Sequence, residues 1–157
     1  MILTTHALTG AVIGKNIGNP WIVILVSLVV HYLMDGIRHA EYFDDRIAKI
    51  KDTWWKVALD LAIPLFIIYL FIYSSVPGSK TVENIIIGSF FSVLPDGITL
   101  IYWFSGKKLF TRIKAFHALA HRYDKNPKYS PERQWNLKNA RNDIIISVIA
   151  IILLFII

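Results

Sequence analysis

The chain has no cysteine. Disulfides, thiol nucleophiles and thiolate metal sites are therefore excluded, and any metal must be held by imidazole, carboxylate, carbonyl or water. Those donors suit zinc, manganese, iron or magnesium rather than soft-metal chemistry. The opening, "MILTTHALTG", lacks the basic start and unbroken apolar stretch of a secretory signal, so Met1 is expected to begin the mature chain. There is no Gly-rich phosphate loop, no Cys-His pair and no serine in a nucleophile-elbow context. Low-complexity tracts and internal repeats are also missing. Acids are sparse, 11 against 17 Lys and Arg, which leaves a formal charge of +6.

Apolar residues are abundant. Of the 157 residues 55% are hydrophobic, and the mean hydropathy of +0.49 exceeds what a water-soluble domain of this length needs. The excess sits in Trp21–Met34, Trp54–Val76, Ile85–Phe104 and Ile144–Ile157. A helix rises 1.5 Å per residue, so about 20 apolar residues cross a hydrocarbon core about 30 Å thick. The second and third segments reach that length, and the first does so when extended at both ends. The last reaches only about 21 Å. The expected fold is all-α: one integral membrane domain over 1–157, a helical bundle with about four spanning helices, a short N-terminal helix and an amphipathic surface helix.

Local signals place these helices. Thr4 or Thr5 can cap the first, and Gly10-x-x-x-Gly14 forms a small stripe that lets another helix approach closely. His6, one turn before Gly10, shares that stripe and should face the bundle. Asn19 followed by Pro20 starts the second helix. The third should begin near Asp52 or Thr53, the fourth near Thr81. "GKKLFTRIKAFHALAHRYDK" reads as an amphipathic helix with Leu109, Ile113, Phe116, Ala120 and Tyr123 on one face, lying along the membrane surface. Ser130-Pro131 opens the last helix.

Charge sets the orientation. Residues 105–141 hold ten Lys and Arg against Asp124 and Glu132, whereas the turn Pro77–Asn84 has only Lys80. Cytoplasmic loops carry such an excess, so 105–141 reads as a basic cytoplasmic helical insertion, with Pro77–Asn84 outside. A basic face beside a bilayer points to anionic lipid headgroups. Nucleic acid is the weaker reading, because no binding module accompanies the charge. Trp21, Trp54, Trp55 and Trp103 fit interfacial belts.

On this topology seven titratable groups from five segments share one shallow layer: His6, His31, Asp35, Asp60, Asp96, His117 and His121. Such groups are expensive in lipid and persist by pairing, by facing water or by binding a cation. His31/Asp35 and His117/His121 are i,i+4 pairs, so both members of each can reach one ion or two adjacent ions. The bland alternatives are a hydrogen-bonded helix end, two interfacial histidines, and a Pro-Asp-Gly turn kept for its geometry. Asp60 could be a ligand, a general base, or the ion-pair partner of Lys56 one turn earlier. Pro64 and Pro95 leave the carbonyls of Asp60 and Phe91 without helical donors. His39 is expected to be solvated. Arg38, Lys114 and Arg122 could hold a phosphate oxygen, or simply be loop charge.

"TTH" with His6, "LPD" with Asp96 and "FHALAH" with His117 and His121 resemble the YdjM-like family of inner-membrane metal-dependent hydrolases. "HYLMD" resembles the His-x-x-x-Asp that such proteins carry on a membrane helix, and is similar to a metal-binding helix of zinc-dependent phospholipases C. The resemblance implies metal-assisted hydrolysis of a phosphoester at a prokaryotic inner or cell membrane. His6, His31, Asp35, Asp96, His117 and His121 would bind one or two divalent ions, zinc or manganese, with Asp60 as base. The substrate would be a membrane lipid or amphipathic phosphoester, its phosphate met by Arg38, Lys114 and Arg122. The competing classes are a small ion or metal transporter, a metal-binding membrane protein without hydrolase activity, and a scaffold whose polar groups only fix helix packing.

Overall fold

The computed structural model describes residues 1–41, 50–122, 125, 131 and 134–156, with backbone only for 50–53. Six helices follow in order: α1 (Leu3–Asn16), α2 (Pro20–Asp35), α3 (Ile50–Ser75), α4 (Ser79–Phe104), α5 (Thr111–Ala120) and α6 (Leu137–Ile156). The all-helical expectation holds. Among the described residues the only extended pairing is an isolated bridge between Glu41 and Gln134.

The short N-terminal helix is the centre of the bundle. α1 packs against α2, α3, α4 and α6, and buries Thr4, Thr5, His6, Leu8, Gly10, Ala11 and Gly14. Its direction relative to its neighbours can be read from side-chain contacts. At one end Thr4 meets Asp60 of α3 and Thr5 meets Ser147 of α6. At the other, Lys15 reaches the Leu154 carbonyl and the Phe71 ring, while Asn84 donates to the Ile17 carbonyl. So α3 and α6 run alongside α1, and α4 runs against it. An apolar core of Leu8, Ala11, Ile68, Phe71, Ile85, Ala150 and Leu154 fills the far half. The near half is polar.

The small stripe meets α4. A Cβ on Gly10 would fall on the Gly88 carbonyl, and one on Gly14 on the Asn84 carbonyl. The two backbones touch there, which only glycine permits at such a crossing.

Among the described residues three helices are long and apolar enough to cross a membrane: Trp54–Ser75, Ser79–Phe104 and Leu137–Ile156. Their outward faces, such as Leu65, Phe66 and Tyr69 on α3 and Ile145, Val148 and Ile152 on α6, are exposed apolar surface, as a lipid solvent requires. α2 is apolar but has 16 residues, about 24 Å, short of the 30 Å core. Asn19 caps it as expected, its Oδ1 accepting from Trp21 and Ile22.

Two expected boundaries are corrected. The last helix is not short: it starts at Leu137 and reaches 20 residues by including the polar turn with Asn139 and Asp143. Ser130 lies outside the described residues. The surface helix is shorter than the expected 106–125. Left-handed backbone at Gly106, Lys107 and Phe110 precedes it and Arg122 follows it, confining α5 to ten residues. Its Ile113, Phe116 and Leu119 are exposed and its histidines face inward. Tyr123 lies outside the described residues.

Candidate metal centre

Asp35 ends α2 in the polar half of the bundle, 1% exposed. Its Oδ2 faces three imidazoles: His31 Nε2 at 3.0 Å, His117 Nε2 at 2.8 Å and His121 Nε2 at 3.3 Å. Its Oδ1 lies 2.9 Å from the Met1 amino nitrogen and 3.2 Å from His6 Nε2. Asp96, from α4, places Oδ1 3.5 Å from His117 Nε2 and Oδ2 3.9 Å from His6 Nε2. Donor atoms of His31, Asp35, Asp96 and His117 all lie within 4.8 Å of one another, as do those of Asp35, His39 and His121. The expected gathering of His6, His31, Asp35, Asp96, His117 and His121 is therefore present, brought together by α1, α2, α4 and the α5 segment.

The outer contacts decide which ring nitrogens face the centre. His31 Nδ1 lies 2.7 Å from the Ser92 carbonyl, which can only accept, so this nitrogen carries the proton. His117 Nδ1 lies 2.8 Å from Thr99 Oγ1, whose own hydrogen goes to the Pro95 carbonyl. With no further proton on either ring, each would turn an Nε2 lone pair towards Asp35 Oδ2. His31 Nε2 and His117 Nε2 are 3.3 Å apart, and His117 and His121 Nε2 are 3.1 Å apart. Lone pairs facing each other and a carboxylate repel unless positive charge lies among them. The same pattern, an outer partner holding the far imidazole nitrogen, is how metal-ligating histidines are oriented. Asp96 Oδ2 and His6 Nδ1 are buried without hydrogen-bond partners among the described residues.

His121 sits just beyond α5. Burial pushes its pKa well below the usual 6.5, against the pull of Asp35 and with help from the Met1 ammonium, His117 and His39. Folded His121 stays neutral at pH values where the unfolded chain would protonate it, so the unfolded state takes up more protons below about pH 6.5. Thermal stability of metal-free protein in detergent should accordingly fall as pH drops below 6.5. His121→Gln should flatten that slope in the same titration.

Asp60 is placed elsewhere. Its Oδ2 accepts from the Leu3 amide at 2.7 Å, and its Oδ1 from the Thr4 amide at 2.9 Å and the Thr4 hydroxyl at 2.6 Å. Thr4 Oγ1 also lies 2.8 Å from the Asp60 carbonyl, the one that Pro64 deprives of its helical donor. Neither Thr4 nor Thr5 caps α1: its N-cap is Ile2, without a side-chain bond, and the carboxylate comes from α3. An anionic acceptor at a helix N-terminus satisfies free amides and complements the dipole. Hydrogen bonds to charged groups contribute about 1.5–3 kcal/mol each, so Asp60→Ala should lower the melting temperature strongly, while the molecules that fold still bind metal. Elemental analysis beside a melting curve checks both.

Of the three cations expected at a phosphate, Arg38 and Arg122 are exposed and Lys114 is half-buried. Arg38 Nε and Nη2 donate to Asn139 Oδ1 at 3.2 and 2.7 Å. Lys114 Nζ lies over the Trp103 ring, 5.6 Å from its centroid, and Arg122 is exposed one residue past His121.

Sequence reasoning missed three groups. His39 is not solvated: it is 2% exposed and belongs to the second donor group. The chain after α2 folds back onto α6, where the Ala40 amide donates to Asp143 Oδ2 and Asn142 to the Arg38 carbonyl. Glu41 Oε1 consequently sits 3.5 Å from both His39 Nε2 and His121 Nδ1. Asp143, fully buried, also accepts from the Ile2 amide, pinning the chain start beside the centre. The spacing of Asn139 and Asp143 at the head of an apolar run was the available signal. The chain matches no family model, no curated protein and no solved structure.

Proposed function

We propose that this chain is a membrane-embedded metal-dependent hydrolase acting on a phosphoester at the cytoplasmic membrane boundary. The observation that carries the reading is the convergence of three imidazole Nε2 atoms on one oxygen of Asp35, two of them held by outer partners on the opposite nitrogen. His31, His117, Asp35 and Asp96 would hold the ion, with His6 and His121 beside them. Two or three histidines with carboxylate suit zinc or manganese. A divalent cation bound there supplies Lewis acidity and brings the pKa of water from 15.7 towards about 7.

The chain's own residues supply the rest. Ser92 and Thr99 keep His31 and His117 in the ligating tautomer. Asp96, whose Oδ2 makes no hydrogen bond among the described residues, would take a proton from water, a role Asp60 cannot fill while both its oxygens hold α1. Lys114 and Arg122, on the segment that carries His117 and His121, are the cations nearest in sequence to meet a phosphate. The excess of Lys and Arg in 105–141 supports a cytoplasmic orientation.

An amphipathic substrate is supported by a cavity of about 460 Å³ between α3 and α6, lined by Leu59, Ile63, Val148 and Ile151 with Trp55 and Lys56. Ile2 also lines it, next to the Met1 amine that touches Asp35. An acyl chain there would keep its headgroup at the depth of the centre. The similarity of "TTH", "LPD" and "FHALAH" to the YdjM-like hydrolases points the same way.

The test is to purify the protein in mild detergent, measure bound metal, and assay lipid and soluble phosphoesters with zinc or manganese. Stoichiometric metal with chelator-sensitive phosphate release is the expected result. Metal with liposomal ion flux and no hydrolysis would instead establish the transporter reading, and no metal under any gentle preparation would remove both.

A further inference from the structure

We propose that His39, His121 and Asp35, backed by Glu41, form a second divalent-cation position, so that Asp35 is the shared carboxylate of a two-ion centre. This rests on the metal reading above and extends it to His39 and Glu41, which that reading does not use.

The geometry around His39 carries the inference. Its Nδ1 lies 2.7 Å from the Ile37 carbonyl, an acceptor only, so Nδ1 bears a hydrogen, and a ring with one proton carries it there. The lone pair is then on Nε2, which is buried and has no hydrogen-bond partner among the described residues. That atom faces the Glu41 carboxylate at 3.5 Å, and the His39 ring brings one of its nitrogens within 4.8 Å of donor atoms of His121 and Asp35. The rings of His39 and His121 meet edge-on with centroids 5.1 Å apart. A buried imidazole lone pair facing the Glu41 carboxylate needs a cation between them, or a proton on the ring.

The backbone has been arranged to bring His39 there. It lies in a loop, four residues past the end of α2, where a solvated histidine would be the default. Asn139 and Asn142 hold Arg38 on one side of it, and Asp143 holds the Ala40 amide on the other. Three residues of α6 thus fix a loop whose one buried side chain between those anchors is an imidazole pointing at the centre.

A shared carboxylate between two groups of histidines suits a pair of ions. Two-metal sites of phosphatases and nucleases hold ions about 3.5–4 Å apart and clamp the attacking and leaving oxygens of an in-line displacement. A second position therefore fits the phosphoester reading, since two ions can hold both the attacking and the leaving oxygen of a phosphoryl transfer.

The experiment counts ions. Detergent-purified protein is stripped with chelator, titrated with manganese and read by elemental analysis and electron paramagnetic resonance. Wild type should bind two manganese ions with a spin-coupled signal. His39→Ala should bind one, with the coupling gone, and His39→Gln serves if the alanine variant fails to fold. One ion in wild type, or two in both wild type and variant, overturns this proposal and leaves the single-ion hydrolase standing. No bound ion in wild type overturns both. Should neither variant fold, the wild-type count alone decides.

Discussion

Asp35→Asn should lower metal affinity by more than about 100-fold, because losing even an outer partner of a metal ligand costs about 10–100-fold. Asn keeps the size and one oxygen, so the change removes charge and little volume. The carboxylate it replaces touches the Met1 amine and the Nε2 atoms of His6, His31, His117 and His121 within 3.3 Å. No other side chain among the described residues has that reach. An amide nitrogen can donate to one imidazole lone pair, which lets the metal-free variant fold, but it cannot neutralise a divalent ion. Melting curves with and without zinc give the readout. A ligand that binds only the folded state adds about 2.7 kcal/mol at a hundredfold excess over its dissociation constant. Wild type should show that gain and Asp35→Asn none. Full retention of metal by the variant would remove Asp35 from the centre, and with it the argument for either ion.

Much of this site was legible because periodicity carries it. His31 and Asp35, and His117 and His121, repeat at four residues within apolar surroundings, so each pair had to share a helix face and each was costly to leave alone. The depth of Asp96 followed from its place late in a spanning segment. Periodicity is silent about loops, and His39 and Glu41 lie in one. Their burial depends on bonds to Asn139, Asn142 and Asp143, a hundred residues away, in a stretch whose composition reads as basic loop. Asp60 shows a different limit. Sequence placed it one turn before Pro64, which strands its carbonyl, but its partners are the backbone amides of α1 and the Thr4 hydroxyl, which have no signature. The same limit hid the length of α5: the amphipathic pattern runs on through Lys107 and Phe110, whose left-handed backbone no pattern encodes.

The centre depends on α1 far more than a 14-residue helix suggests. It supplies His6 directly. By packing on α4 it also sets the position of Ser92, whose carbonyl orients His31, and of Asp96 and Thr99 one and two turns on. The chemistry of the polar half therefore rests on the glycines midway along the bundle.

Gly10→Ala is expected to break both fold and site. The added Cβ would fall on the Gly88 carbonyl and stand 2.7 Å from Ser92 Cβ. Backbone cannot rotate aside as a side chain can, so the two helices must separate, and overpacking of this kind costs about 1–3 kcal/mol or more. Separation moves Ser92, and His31 loses the contact that aims Nε2 at Asp35. Metal content should fall together with the melting temperature, although no ligand has been touched. Gly97→Ala is the control: it lies on α4, the helix that Gly10 meets, beside Asp96, and its Cβ would meet nothing within 4 Å. Replacing a helical glycine where there is room should stabilise by about 0.4–1 kcal/mol. Equal melting temperatures for the two variants would show that α1 and α4 do not meet backbone to backbone, and the route from that contact to the centre would fail. A loss confined to Gly10→Ala ties the metal site to a crossing more than a turn away, through Ser92.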